Sequence, residues 1–117
     1  MSKRTYYSFD GDQVGRRLQA LILENDLEGI ANFSRIAAAA LTSLTQALER
    51  AGAHMVFSAG DSIMAWSSSE LDLTSLPLRS NGIRFSVGVG DSPREALVGL
   101  TKSKIAANGE AIRYQES

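Results

Sequence analysis

Residues 54–66 have the sequence HMVFSAGDSIMAW, in which two short apolar runs flank a turn that contains glycine. Apolar runs joined by Ala59-Gly60-Asp61 are typical of a β-hairpin. Both arms are apolar at nearly every position, which predicts two central strands of a covered sheet and no exposed edge. The turn between them places one carboxylate, that of Asp61, at an end of the sheet.

An earlier segment of the chain also predicts a strand that ends in acidic residues. Thr5–Phe9 is β-branched or aromatic except at Ser8, and it continues into Asp10-Gly11-Asp12. This pattern predicts a strand over residues 5–9 followed by a turn. Between this strand and the hairpin, apolar residues recur at helical spacing over 14–23 and 30–48, which predicts two helices. The second helix is expected to stop at Ala51-Gly52.

The C-terminal part predicts a further strand and helix. Residues 67–79 are polar and irregular, with one helical turn expected near Leu71, and residues 83–90 alternate with period two. Ser92-Pro93-Arg94-Glu95 combines an N-cap serine, a proline at the first helical position and a capping-box glutamate. This helix is expected to run to about residue 107 and stop at Asn108-Gly109, before a short strand over 111–114. The order predicts an α/β sandwich, a ferredoxin-like or polymerase-palm domain with a mostly antiparallel sheet.

The composition excludes several classes of function. A chain of 117 residues fits one domain, 1–117. It has no cysteine, which excludes disulfides and thiolate metal sites. The net charge of −1 provides no basic surplus for a long nucleic-acid footprint. No apolar run approaches the ~20 residues of a membrane span. We therefore expect a cytoplasmic protein that binds neither nucleic acid nor membrane directly.

The aspartates that follow the two predicted strands suggest a metal site. Asp10 and Asp12 would share one face if the first strand continues, and Gly11 would let its carbonyl approach a ligand closely. In a palm-like sheet the first strand can lie beside the hairpin, which would bring Asp10 and Asp61 together. Magnesium prefers such oxygen ligands, supplemented by substrate phosphates. The alternative is that these aspartates only form turns, where Asp-Gly and Gly-Asp are common.

The same residues carry a resemblance to a known family. Four segments resemble its motifs in order and spacing: YSFDGDQVG at 7–15, SAGDSI at 58–63, FSVGVG at 85–90, and LTKSK at 100–104 with Asn108-Gly109. Together they resemble the palm superfamily of GGDEF diguanylate cyclases and CRISPR polymerases, and most closely the stand-alone minimal CRISPR polymerases. The resemblance covers nearly the whole chain.

This resemblance implies a set of site residues. Asp10 and Asp61 would be the catalytic carboxylates, and with the Gly11 carbonyl they would bind Mg²⁺ or Mn²⁺. Lys104 would meet the triphosphate, with Lys102 as an alternative, or would only complement a helix C-terminus. The positions implied to contact the nucleotide are Gly11, Asp12, Gly15, Arg16, Gly60, Ser62, Gly88 and Lys104.

Two departures from the diguanylate cyclases narrow the implied activity. Ser62 stands where those enzymes have an acidic residue. The positions that recognise guanine fall on Leu18 and Leu27, which cannot hydrogen-bond to its edge, so adenine is favoured. The resemblance thus implies a Mg²⁺-dependent nucleotidyltransferase that joins ATP into a cyclic di- or oligoadenylate and releases pyrophosphate.

The resemblance also implies partners and a setting. A C2 homodimer with facing active sites would supply the two bonds of a cyclic product. The product would be bound by a separate effector protein, which could be membrane-bound, in bacterial anti-phage defence. Two alternatives stay open. One is a palm domain that binds nucleotide without turnover and acts as a sensor, which Ser62 favours. The other is a ferredoxin-like regulatory module whose aspartates are turn residues.

Overall fold

The computed structural model describes residues 3–106 and 111–116. The predicted α/β class with a mostly antiparallel sheet is confirmed. The elements, in chain order, are β1 (Thr5–Gly11), α1 (Val14–Leu23), α2 (Leu27–Arg50), β2 (His54–Ala59), β3 (Ser62–Ser67), a 3₁₀ turn (Leu73–Ser75), β4 (Arg79–Ser80), β5 (Ile83–Gly90), α3 (Pro93–Ile105) and β6 (Ile112–Arg113).

The strand that carries the first aspartate lies in the middle of the sheet. The sheet has the order β2-β3-β1-β5-β4, and β6 pairs with β5 as well. β1 is antiparallel to β3 on one side and to β5 on the other, whereas β6 is parallel to β5. The register places Asp10 opposite Ser62 on β3 and opposite Ser86 on β5. The first strand therefore lies beside the hairpin, as the sequence predicted.

The two faces of the sheet pack against different helices. Tyr7 and Phe9 of β1 are fully buried in a core that includes Leu44 and Leu48 of α2. Successive side chains alternate between the faces of a strand, so Ser8 and its partner Gly88 lie on the opposite face. There α3 crosses so closely that a Cβ atom on Gly88 would lie 2.0 Å from the backbone nitrogen of Leu100. The sheet is thus the middle of three layers.

One prediction about the hairpin is wrong. β3 is central and its Ile63, Met64 and Ala65 are buried, but β2 is an edge strand. Val56 and Phe57 on β2 are 51% and 46% exposed. Among the described residues, no strand other than β3 pairs with β2. The apolar composition of β2 suggested a covered strand, but composition does not show how many strands pair with it. A register shift between Met55 and Phe57 also interrupts its pairing with β3.

The helix boundaries follow the capping signals. α1 has the predicted bounds, and α2 begins at Leu27, where Asp26 accepts a hydrogen bond from the Gly29 amide. Ser92 caps α3 by accepting from the Glu95 amide, as its capping box predicted. The predicted stop at Asn108-Gly109 lies outside the described residues. β1 runs on through Gly11, so Asp10 is part of the strand. Within the described residues, no helix combines the length and apolar character needed to cross a membrane.

Candidate active site

The ends of β1 and of the hairpin bring two carboxylates together. The Gly11 amide donates a hydrogen bond of 2.9 Å to the Asp61 carbonyl oxygen. A Cβ atom on Gly11 would lie 3.4 Å from the Asp61 Cβ and 3.7 Å from its Oδ2, which are ordinary contact distances, so the Asp61 side chain lies directly beside the Gly11 backbone. Burial, and next the negative charge of Asp10, raise the pKa of Asp61 above its ordinary value. The two aspartates are therefore electrostatic neighbours, as the sequence predicted.

Both oxygens of the Asp10 carboxylate have partners. The Ser62 hydroxyl donates to Oδ1 at 2.8 Å, and the Lys104 ammonium lies 2.7 Å from Oδ2. Ser62 comes from β3, directly opposite Asp10 in the register. The residue that replaces the acid of the diguanylate cyclases is thus a hydrogen-bond donor to the first carboxylate, a role that its position in the motif did not indicate.

Asp12 is held by a separate set of groups. It accepts hydrogen bonds from Arg84 Nε at 2.6 Å and from the Ser86 hydroxyl at 2.5 Å. Burial alone would raise the pKa of Asp12. The hydrogen bonds from Ser86 and Arg84 and the charges of Arg84 and Lys104 outweigh it, and its pKa is lowered. The sequence did not predict Arg84 and Ser86 at this site. The period of two on β5 places them on one face, but only the β1–β5 register shows that this face meets the aspartates.

Lys104 connects the two acidic groups of β1. It lies in the last turn of α3, with its ammonium 2.7 Å from Asp10 and 3.5 Å from Asp12 Oδ1. Burial alone would lower the pKa of Lys104, but its hydrogen bond to Asp10 and the charges of both aspartates raise it. The alternative, Lys102, lies over the ring of Tyr114 at 5.6 Å. Of these two lysines, Lys104 is the one at the carboxylates.

Other predicted positions are spread around this centre. Gly15 and Arg16 lie exposed in the first turn of α1, and nothing within 4 Å would meet a Cβ atom on Gly15. Gly60 is in the hairpin turn with φ of +61°, a conformation that favours glycine. Gly88, which the resemblance implied to contact the nucleotide, instead faces α3, and the helix fills the space beside it. The structure does not support a nucleotide contact at Gly88.

The donor set fits a small divalent cation. Asp10, Asp61 and the Gly11 carbonyl offer hard oxygen ligands. Burial raises the pKa of Asp61 and the negative charge of Asp10 adds to this rise, so a nearby cation would favour the ionised carboxylate. In residues 3–106 and 111–116, no group of three or more acidic or histidine side chains could hold one ion together. With two carboxylates and one carbonyl from the protein, the other positions around such an ion would be left to phosphate and water. Magnesium is commonly bound in this way.

The network around Asp12 predicts a loss of stability in acid. Because its folded-state pKa lies below the ordinary value of 3.8, Asp12 contributes stability that is fully present above that value and is lost as the pH falls through the folded-state pKa. We expect wild type to have a larger free energy of unfolding than Asp12→Asn. The difference between the two should be constant above about pH 5 and should shrink below about pH 4. Urea unfolding at a series of pH values, without divalent ions, measures this difference. A difference that stays constant or widens in acid would contradict the assignment.

Comparison with known proteins places this site in a family. Residues 6–114 match the minimal CRISPR polymerase domain, a span that includes every residue of the site from Asp10 to Lys104. The comparison with curated proteins finds no match. Since the matched span covers most of the sequence, the chain belongs to the minimal CRISPR polymerase family.

Proposed function

We propose that the protein is a metal-dependent nucleotidyltransferase that joins ATP into a cyclic di- or oligoadenylate and releases pyrophosphate. The observation that carries this proposal is the pair of carboxylates, Asp10 and Asp61, at one end of the sheet with the Lys104 ammonium beside them. This combination suits a metal–triphosphate complex, because it offers anionic ligands to the metal and a cation to the phosphates. Membership of a polymerase family supports the same chemistry.

In this proposal Asp10, Asp61 and the Gly11 carbonyl hold Mg²⁺ or Mn²⁺. The bound metal supplies positive charge that activates the attacking ribose hydroxyl and stabilises the pyrophosphate leaving group. Ser62 holds Asp10 in place through its hydrogen bond of 2.8 Å. Lys104 neutralises charge on the triphosphate. The ribose oxygen forms a bond to the α-phosphorus, the bond to pyrophosphate breaks, and the hydroxyl proton passes to solvent.

The first turn of α1 provides a second set of groups for the phosphates. Its N-cap residue, Gln13, adopts a left-handed conformation and its side chain makes no capping hydrogen bond. No acidic residue lies in the first turn. The free amide groups and the positive end of the helix dipole therefore favour an anion here. Gly15 and Arg16 are exposed at this end, which supports their proposed contact with the triphosphate.

The proposed selectivity for adenine depends on two leucines. Leu18 packs partly buried against the core, and Leu27 at the start of α2 is 79% exposed. Neither side chain can hydrogen-bond to the edge of guanine. The site therefore lacks the hydrogen bonds by which a guanine-specific site excludes other bases, and the proposal of ATP as the substrate follows from the resemblance to the CRISPR polymerases.

The proposal includes an assembly and a setting. A cyclic product requires a second bond formed in the opposite sense, which a C2 homodimer with facing sites provides. We propose that the product acts as a signal in anti-phage defence and binds a separate effector protein, which could be membrane-bound. Size-exclusion chromatography with light scattering tests the dimer directly.

A second candidate function is nucleotide sensing without turnover. The observation that favours it is that Ser62 donates a hydrogen bond to Asp10 where the diguanylate cyclases have an acidic side chain. Such a protein would bind ATP at the same carboxylates and change its stability or assembly, without releasing pyrophosphate.

One assay distinguishes the two candidates. The protein is incubated with MgCl₂ or MnCl₂ and each nucleoside triphosphate in turn, pyrophosphate is measured, and the products are resolved by mass spectrometry. We expect pyrophosphate and a cyclic adenylate from ATP. Thermal stabilisation by ATP without pyrophosphate would support the sensor. If the protein shows no turnover and no thermal stabilisation with any nucleotide, both candidate functions are contradicted.

A further inference from the structure

The Lys104 ammonium lies against the Asp10 carboxylate, where the proposed function places a metal ion. Its ammonium lies 2.7 Å from Asp10 Oδ2, while Ser62 donates to Oδ1 at 2.8 Å. Both oxygens of Asp10 are thus engaged by groups of the protein. A divalent ion that binds Asp10 must compete with the ammonium, because two cations at one carboxylate oxygen repel each other.

The Lys104 ammonium has a second partner, Asp12, which is not one of the proposed metal ligands. Asp12 Oδ1 lies 3.5 Å from the Lys104 nitrogen. Arg84 and Ser86 hold Asp12 with hydrogen bonds of 2.6 and 2.5 Å, so Asp12 remains in place when Asp10 changes partner. Lys104 therefore stays tethered near the site after it leaves Asp10.

The contact between Lys104 and Asp10 is weak enough to exchange. The Lys104 side chain is 34% exposed and that of Asp10 is 24% exposed. Ion pairs at such partly exposed positions are weak and change an equilibrium constant by about fivefold or less. A metal alone displaces the ammonium and offers it no new partner. A metal with a triphosphate displaces it and also provides phosphate oxygens for it to bind.

We infer that Lys104 is a displaceable internal cation that occupies Asp10 in the free protein and transfers to the triphosphate when metal and nucleotide bind together. The inference rests on the proposed function. The transfer of the Lys104 ammonium makes the binding of metal and the binding of nucleotide cooperative, because the ammonium opposes metal binding at Asp10 and favours binding of the triphosphate. In this role Lys104 weakens the binding of metal when no substrate is present.

Titration with Mn²⁺ tests the inference without turnover. Free Mn²⁺ is measured by electron paramagnetic resonance, with and without a non-hydrolysable ATP analogue, and the Mn²⁺ that the analogue binds in the absence of protein is subtracted. We expect Lys104→Met to bind Mn²⁺ up to about fivefold more tightly than wild type when no nucleotide is present, because the metal no longer has to displace a partly exposed ion pair. We also expect the analogue to tighten Mn²⁺ binding in wild type and to lose most of this effect in the variant.

Three further variants make the result specific. Lys102→Met removes a lysine two residues away that lies over Tyr114, and it should match wild type. Lys104→Arg keeps a cation and should keep the coupling. Asp61→Asn should abolish Mn²⁺ binding with or without Lys104→Met. Thermal unfolding of each variant shows whether the fold is retained.

The outcomes separate this inference from the proposed function. If Lys104→Met binds Mn²⁺ no more tightly than wild type, and the wild-type protein makes cyclic adenylate, the role inferred for Lys104 is overturned and the proposed function stands. Absence of Mn²⁺ binding in every variant, even with the ATP analogue, would overturn both. Tighter binding by Lys104→Met together with lost coupling supports both.

Discussion

Asp61→Asn is expected to reduce pyrophosphate release from ATP by a factor of about 10³ and to leave the protein at least as stable as wild type. The loss of activity follows from the removal of one of the two carboxylates that are proposed to bind the metal. The stability follows from the electrostatics of the free protein. Burial and the charge of Asp10 raise the pKa of Asp61, so the fold opposes ionisation of this carboxyl, and a neutral amide relieves that opposition.

Asp10→Asn is expected to lose activity to the same degree, with a small loss of stability. It weakens the contact with Lys104, and such partly exposed ion pairs contribute about 0–1 kcal/mol. Pyrophosphate release and thermal unfolding without divalent ions measure the two effects. Asp91→Asn is the matched control, because Asp91 follows the opposite end of β5 and pairs with Arg113. It should retain activity. Full activity of Asp61→Asn, or unfolding of both site variants, would show that the aspartates are structural.

The site could be predicted from sequence where its residues are close to a turn. Asp10 and Asp61 each follow or lie beside glycine at the end of an apolar run, and such runs predict strands reliably enough to place both acids at strand ends. The same local signals predicted the helices, because Ser92 and Glu95 form a capping box within four residues. These features depend on neighbours in sequence.

The rest of the site depends on register and on packing between distant elements. Arg84 and Ser86 reach Asp12 because β5 pairs with β1 in one particular register, and no local pattern specifies that register. The edge position of β2 likewise depends on the pairing of distant strands, which the sequence of β2 itself does not specify. The resemblance implied that Gly88 contacts the nucleotide, whereas the close approach of α3 to this residue is a property of the third layer. A glycine in a strand indicates close contact but does not identify what makes it.

That close contact predicts the largest effect on stability. A Cβ atom on Gly88 would lie 2.0 Å from the Leu100 nitrogen and 2.1 Å from the Ala96 carbonyl oxygen. Both are backbone atoms inside α3, so no side-chain rotation can relieve the overlap, and the helix must move away from β5. We expect Gly88→Ala to lower the free energy of unfolding by about 3 kcal/mol, the upper part of the range for overpacked cores. Urea unfolding measures this loss.

The displacement of α3 should also reach the site, because Lys104 projects from the last turn of that helix onto Asp10. Activity of Gly88→Ala is therefore expected to fall even at temperatures where the protein remains folded. Gly15→Ala is the matched control for stability, since nothing lies within 4 Å of the added Cβ. There, in the first turn of α1, alanine should be neutral or stabilise by up to about 1 kcal/mol. Equal stability of Gly88→Ala and wild type would contradict the packing of α3 on β5, and with it the route by which Lys104 reaches the aspartates.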